Sequence, residues 1–481
     1  MALRAPSGHI GRAVPADTRQ PLLQRIPSLT ELLKREAVLR WLQTHPHSLV
    51  TRVLRQAAAQ LRDRILEGRL VAPEEIGAEA VERLAGEILA AQTRPRIRAA
   101  INATGILLHT GLGRAVFPEG VVDSLLAELK GYCTLAVHPE SGERVERDEL
   151  VEDILTELTG AEAATVVNNN AAATLLVLAG LAAQREVIVS RGQLIEIGGS
   201  FRLPEVMAQS QARLVEVGAT NRTHLSDYQR AITAQTAALM RVHPSNYRIV
   251  GFAGTPGLAE LAELARRHHL TLIDDLGAGA LVDLRQFGLP PEPIVRESIA
   301  AGADLVLFSG DKLIGGSQAG IIVGRRPLIQ QLRKHPLMRA IRVDKTCLMV
   351  MERTLHLFRD PERLRREHPL YRMICQPLER VRARARALQE GLAALGSGIE
   401  VEVGDSLAYL GSGSLPTEAI ASVAVGLRAR NVGVNELARR LRLDEACVFS
   451  RIESDQVKLD LRTVTDPQVP VIVQAVRRAT A

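Results

Sequence analysis

The chain has 481 residues, 46% hydrophobic and 24% charged, with a formal net charge of +6. That length accommodates two or three domains, each with its own core, and the composition excludes a largely disordered protein. No apolar run reaches the ~18 residues that cross a bilayer, and the opening MALRAPSGHIGRAVPADTRQ lacks the apolar centre of a signal peptide. A cytoplasmic protein with no membrane partner is therefore expected. Cys133, Cys347, Cys375 and Cys447 stand far apart, without Cys-x-x-Cys or Cys/His spacing. This argues for buried free thiols and against a disulfide framework or a metal site.

In chain order, residues 1–70 hold twelve Lys and Arg against five Asp and Glu, a balance of +7 that exceeds the excess of the whole chain. Apolar residues recur at three- and four-residue steps over 28–70, and Ser28 with Glu31 forms a capping-box pattern. At least two helices are predicted there, broken near His45-Pro46, with another over about 73–92. Arg94, Pro95, Arg96 and Arg98 then read as a linker, which predicts a basic helical domain with its linker over 1–95. A cationic patch attracts phosphate backbones, so a polyanion is the expected partner; a solvated helical face is the alternative. Aromatic residues are only 3% of the chain, which favours a folded RNA recognised by shape over unstacked bases. No DNA partner is expected.

From about residue 100 short apolar segments alternate with helical ones. AATVV (163–167), EVIVS (186–190), RLVEVG (213–218), AALMRVH (237–243), LTLIDD (270–275) and DLVLFS (304–309) read as strands of a mostly parallel sheet in an α/β fold. Ligands collect at the carboxyl ends of such strands. After AATVV come Asn168, Asn169 and Asn170 and an alanine- and leucine-rich helix, an N-terminus suited to an anion such as phosphate. Capping alone would need one asparagine. After LTLI come Asp274 and Asp275 and a glycine-rich turn. After DLVLFS comes GDKLIGGSQAG, in which Lys312 stands among Gly310, Gly315, Gly316 and Gly320, glycines that let backbone approach something closely or adopt positive φ where a β-carbon would clash, and that around a lysine suggest a bound ligand. Lysine, carboxylate and phosphate cradle together are what pyridoxal 5'-phosphate requires. Lys312 should then be open to the cofactor rather than packed. Arg325, Arg326, Arg333, Lys334, Arg339 and Arg342 follow with no acidic residue between Arg325 and Arg342, which predicts an anionic substrate.

INATGILLHTGLGRA, TGAEAATVVNNNAAATLL, SRGQLIEIGGSFRLPEVM, VGATNRTHLSDY, HPSNYRIVGF, DLGAGALVDL, SGDKLIGGSQAGIIVGRR and HPLMRAIRVDK resemble successive blocks of bacterial L-seryl-tRNA(Sec) selenium transferases. The similarity runs from about Ile26 to GSGSLP (411–416) and LDLRTV near 459. It implies a fold-type-I pyridoxal phosphate enzyme with a large cofactor domain over 96–345, a small C-terminal α/β domain over 346–481 and an N-terminal helical domain contacting tRNA. It also implies conversion of seryl-tRNA(Sec) to selenocysteinyl-tRNA(Sec) with selenophosphate, in a homo-oligomer built from dimers, a decamer in the family. By the same resemblance Lys312 is the Schiff-base lysine, and Asp275 pairs the ring nitrogen, with Asp274 as its rival. Asn169, Asn170, Ala171 and Ser309 complete the cofactor set, and Arg114, Arg339 and Arg342 bind the selenium donor's anion. Two departures stand out. The family's GxRGxR block reads GERVER, with Val145 for glycine, which puts local backbone geometry in question. HTNLGRA reads HTGLGRA, so Gly111 removes an amide side chain. Two rivals remain: a pyridoxal phosphate lyase or desulfurase acting on a free amino acid, and a tRNA-binding protein on an inactive cofactor fold.

Overall fold

The structure is a computed structural model that describes residues 16–68, 76–198 and 201–481. The chain forms two compact units, Met1–Arg98 and Ala99–Ala481. In the first, helices Ala16–Gln24, Leu29–Leu32, Glu36–Thr44, His47–Leu66 and Ala78–Thr93 bury one apolar core, including Val38, Val50, Leu54, Leu61, Val81 and Leu89. The predicted break at His45-Pro46 falls between the third and fourth helices. Proline lacks the amide a continuing helix would need and presets the first turn of the next. The capping box is present: the Glu31 amide donates to Ser28 Oγ at 3.3 Å and the Ser28 amide to Glu31 Oε2 at 2.9 Å. The start expected near residue 73 lies outside the described residues, as do parts of the basic 1–70 segment.

The second unit is built on a seven-stranded sheet: β1 (Ala163–Val167), β2 (Glu186–Ser190), β3 (Arg213–Val217), β4 (Thr236–Val242), β5 (Thr271–Gly277), β6 (Leu305–Ser309) and β7 (Gly320–Gly324). The spatial order is β1-β7-β6-β5-β4-β2-β3. All neighbours are parallel except β7, which runs antiparallel to β1 and β6. Most of the strands are continuous apolar runs because both faces are covered. Helix Asn170–Ala182 lies on the face carrying Ile273, Leu305 and Leu307, while Leu239, Val306 and Phe308 look into the opposite core.

Residues from about 378 onward form a second layer. Strands β8 (Ile399–Gly411), β9 (Ser414–Ala429), β10 (Arg451–Glu453) and β11 (Gln456–Asp460) make an antiparallel sheet in the order β8-β9-β11-β10. Its core joins helices Leu378–Ala393, Val434–Leu443 and Gln468–Thr480. Ile101–Asn102 pairs in parallel with Val448–Phe449, tying the entry of the unit to this layer. Of the four free cysteines only Cys447 is buried; the other three are half-buried. Among the described residues no helix is long and apolar enough to cross a membrane.

Candidate active site

The site lies where the carboxyl ends of β1, β5 and β6 meet. Lys312 follows β6 and is only 5% exposed, so it is packed, contrary to the open position the sequence suggested. Its amine nevertheless makes no hydrogen bond or ion pair among the described residues. Burial lowers its pKa, and the Arg114 guanidinium lowers it further, against the fields of Asp311, Asp275 and Glu292. A buried amine held towards its neutral form is a nucleophile kept ready.

The surrounding glycines are required by the packing of the loop. A β-carbon on Gly310 would meet Met351 Cε at 2.3 Å and the Ser317 carbonyl oxygen at 2.8 Å. Gly315 has φ +68°, and a β-carbon there would lie 2.2 Å from the His368 ring. They allow the lysine loop to pack on helix Lys345–Leu355 and on His368. His368 Nε2 donates to the Ile314 carbonyl at 2.8 Å, and the Tyr371 hydroxyl donates to that of Leu313 at 3.0 Å. Burial pushes the His368 pKa down to about 4. Sequence reasoning missed both residues, since a brace from about 60 positions downstream leaves no local signature.

Adjacent aspartates on a strand face opposite ways, and the two carboxylates have separate surroundings. Asp274, fully buried, receives Arg241 Nε and a terminal guanidinium nitrogen, both at 2.6 Å. The pair sits in register between β4 and β5. Asp274 is therefore not brought to the lysine. An arginine inside the otherwise apolar AALMRVH was the signal for such a partner. Asp275 faces helix Asn170–Ala182. Its Oδ1 accepts from Asn170 Nδ2 at 2.8 Å and from the Gly277 amide at 3.1 Å, and its Oδ2 from the Thr174 hydroxyl at 3.2 Å. Burial raises its pKa, while Asn170, Gly277, Thr174 and the Lys312 charge pull it back.

The three asparagines divide their work. Asn169 caps the helix, its Oδ1 accepting from the Ala172 amide at 2.9 Å. Asn170 binds Asp275, and its Oδ1 is buried without a partner. Asn168 is exposed. Ala171 stands half-buried in the first turn, and Ser309 is buried as the last residue of β6. Arg114, at φ +62° after Gly113, binds Asp311 at 2.6 Å, next to the lysine. Gly111 packs beside the His109 ring.

The basic segment is not uniformly free. Arg325 pairs with Asp304, Arg326 with Glu152, and Arg333 with Asp148 at 2.8 Å and with Glu152. Its lack of acids is a property of the segment and not of the fold. Arg339 and Arg342 have no carboxylate partner among the described residues. Arg342 lies at the end of β1, bridged to Val167. Desolvation and the charges of Arg147, Arg339 and Arg144 push its pKa down. Arg144 and Arg147 come from the GERVER block and complete a four-arginine cluster that the sequence reading did not assemble. Val145 avoids the left-handed region, so replacing glycine there strains nothing.

A family profile described as L-seryl-tRNA selenium transferase matches residues 100–465, and one described as selenocysteine synthase N terminal matches 23–62. The chain belongs to the L-seryl-tRNA(Sec) selenium transferase family. It is 45% identical over 440 residues to the L-seryl-tRNA(Sec) selenium transferase of Desulfovibrio desulfuricans, covering 91% of this chain and 93% of that one. It is 44% identical over 450 residues to that of Haemophilus influenzae, covering 92% and 97%. Among solved structures, a D-glucosaminate-6-phosphate ammonia-lyase superposes with a TM-score of 0.55 at 21% identity, covering 82% of this chain and 98% of that one. The fold is the fold-type-I α/β architecture, with a mostly parallel sheet, and the N-terminal unit is helical.

Proposed function

We propose that the buried lysine at the strand ends is where this chain, a pyridoxal phosphate-dependent transferase, converts seryl-tRNA(Sec) to selenocysteinyl-tRNA(Sec) with selenium from selenophosphate. The observation that carries the reading is Lys312: buried, unpartnered, and under the field of Asp275, whose carboxylate is held by three donors. These residues fit the cofactor, and so do the partnerless Asn170 Oδ1 and the helix N-terminus at 169–172.

When bound, pyridoxal phosphate supplies an aldehyde for an amine and a ring that takes up the electron pair left by a departing α-proton. The chain's own residues do the rest. Lys312 Nζ would take and return protons at the seryl α-carbon, a role its lowered pKa favours. Asp275, oriented by Asn170 and Thr174, holds negative charge where a ring nitrogen would need it. Asp274, neutralised by Arg241, serves the sheet. Asn169, Asn170, Ala171 and Ser309 would hold the cofactor's phosphate. Arg114, Arg339 and Arg342 hold the oxyanion of the selenium donor through guanidinium geometry.

The activity is cytoplasmic. Residues 1–95 contact tRNA, 96–345 carry the cofactor and 346–481 close the site, in a homo-oligomer built from dimers and expected to be a decamer. The experiment is borohydride reduction of the cofactor-loaded protein followed by peptide mapping, with transfer of labelled selenium to seryl-tRNA(Sec) measured beside it. A cofactor-derived mass on the peptide bearing Lys312, with selenium transfer, is expected. Label on another lysine would overturn the assignment.

A further inference from the structure

Arg462 lies just after β11 and is 3% exposed, yet its guanidinium meets no carboxylate among the described residues. Its donors go to backbone carbonyls on two separate segments. Nε and Nη2 donate to Ala421 of β9, the first at 2.9 Å, and Nη1 donates to Met373 at 2.8 Å and to Gln376 at 3.1 Å. The arginine is itself held. Its amide donates to Asp460 Oδ1 at 3.1 Å, and Arg384 Nη1 donates to the carbonyls of Leu461, at 2.9 Å, and of Val464. Burial pushes the Arg462 pKa down against the field of Asp460. A buried charge without a carboxylate is costly, and apolar side chains of similar volume often fill such a place with no loss of stability. What the rigid guanidinium fork adds is a fixed geometry between two segments.

The second of those segments reaches the lysine. Met373 belongs to helix Pro369–Cys375, and Gln376 follows it. Two buried side chains of the same stretch, His368 and Tyr371, donate to carbonyls of the lysine loop, His368 Nε2 to Ile314 at 2.8 Å and the Tyr371 hydroxyl to Leu313 at 3.0 Å. Leu313 and Ile314 directly follow Lys312, whose own amine has no such tether. Tyr371 packs among the rings of Phe287, Phe358 and His368, at centroid separations of 4.7, 5.8 and 5.1 Å. Close packing of this kind passes a displacement on. One short helix thus takes the guanidinium at its C-terminal end and carries the lysine loop on its side.

We infer that Arg462 is a positioning residue for the reaction: through helix Pro369–Cys375 it fixes where the amine of Lys312 stands, so that the C-terminal layer sets the reactivity of the lysine. The inference rests on the reading of Lys312 as the cofactor lysine and adds the device that places it. The charges acting on that amine, those of Arg114, Asp311, Asp275 and Glu292, belong to other elements and stay in place when the strut is cut.

The variants are Tyr371→Phe, which removes only the bond to Leu313, Arg462→Met, which keeps volume without the fork, their double, and Arg462→Lys as the conservative rescue. Two readouts separate positioning from packing. One is the rate at which the full-length apoprotein captures pyridoxal phosphate across pH, followed by absorbance, with the labelled lysine identified after borohydride reduction. The other is kcat and KM for seryl-tRNA(Sec) in the cofactor-loaded protein. A loosened loop readmits water to the amine, so each single variant should move the capture midpoint to higher pH. Each should lower kcat by roughly 2- to 12-fold, the effect of one lost hydrogen bond, at unchanged KM. The double variant should match the larger single effect, because both changes cut one path, and Arg462→Lys should fall between Arg462→Met and wild type. A lower unfolding midpoint with unmoved capture and kcat would make Arg462 a packing residue and overturn the inference. So would effects that multiply in the double variant. Selenium transfer by wild type beside unmoved variants refutes the strut alone. Capture on Lys312 with the coupled shift, but without any selenium product, supports the strut and refutes the activity.

Discussion

Asp274→Asn and Asp275→Asn are neighbouring isosteric changes with opposite expected consequences. Asp274 is fully buried and accepts two guanidinium bonds at 2.6 Å from Arg241, whose side chain is 21% exposed. Asparagine would turn a donor toward one of those nitrogens and leave the arginine charge uncompensated. Breaking a buried pair costs ~3–5 kcal/mol, and the partial exposure of Arg241 reduces this to about 2–4 kcal/mol. At position 275 an amide oxygen can keep the bonds from Asn170 and Gly277, and the amide nitrogen can donate to Thr174 Oγ1, which itself donates to the Asn170 carbonyl at 3.0 Å. The geometry survives, and a charge opposed by burial disappears, so the apoprotein should be as stable as wild type or slightly more. Denaturant unfolding of both variants, with cofactor absorbance recorded in parallel, provides the assay. Asp274→Asn should shift the midpoint down and keep the cofactor band; Asp275→Asn should keep the midpoint and lose catalytic turnover. A larger stability loss at 275 than at 274, or loss of the band at 274 alone, would refute this partition.

Within the basic segment, Arg333→Ala should cost ~3–5 kcal/mol by removing the guanidinium partner of the buried Asp148 and one of the two of Glu152, whereas Arg339→Ala should leave the unfolding midpoint in place and slow selenium transfer more than loss of water, as single-turnover assays would resolve. Because the folded His368 pKa is about 4 against 6.5 unfolded, the unfolded chain binds the extra proton between those values, and stability should fall by up to roughly 3 kcal/mol as pH drops from 6.5 to 4; His368→Gln should flatten that limb of the stability curve. Gly315→Ala places a β-carbon on the His368 ring at positive φ, so it should cost at least ~1–3 kcal/mol and lower cofactor occupancy, measured by absorbance. Removing residues 1–98, the whole first unit, should spare the cofactor band while lowering tRNA affinity and flattening its salt dependence; a cut at 70 would strand helix Ala78–Thr93, which packs on His47–Leu66.

What was legible in the sequence follows from the range over which each signal acts. The strands, the helix break at Pro46 and the Ser28 box are set by neighbours a few residues apart, and they stand where periodicity and turn chemistry put them. The strand-end rule brought Asn170, Asp275 and Lys312 together because a parallel sheet delivers its carboxyl ends to one edge whatever the loops do. Partnerships across the fold were not legible in that way. Counting charges along 325–342 could not reveal that Asp148, Glu152 and Asp304 neutralise half of its cations, nor that Arg144 and Arg147 join the two arginines left over. The glycines of the lysine loop permit close approach and a positive φ, as the sequence suggested, but what they approach is Met351, His368 and the Asn169 backbone, and this packing leaves the Lys312 amine without a partner among the described residues. The proposed site is defined by what the core declines to satisfy, and Asn170 Oδ1, buried and unbonded in the side chain that binds Asp275, belongs to the same pattern.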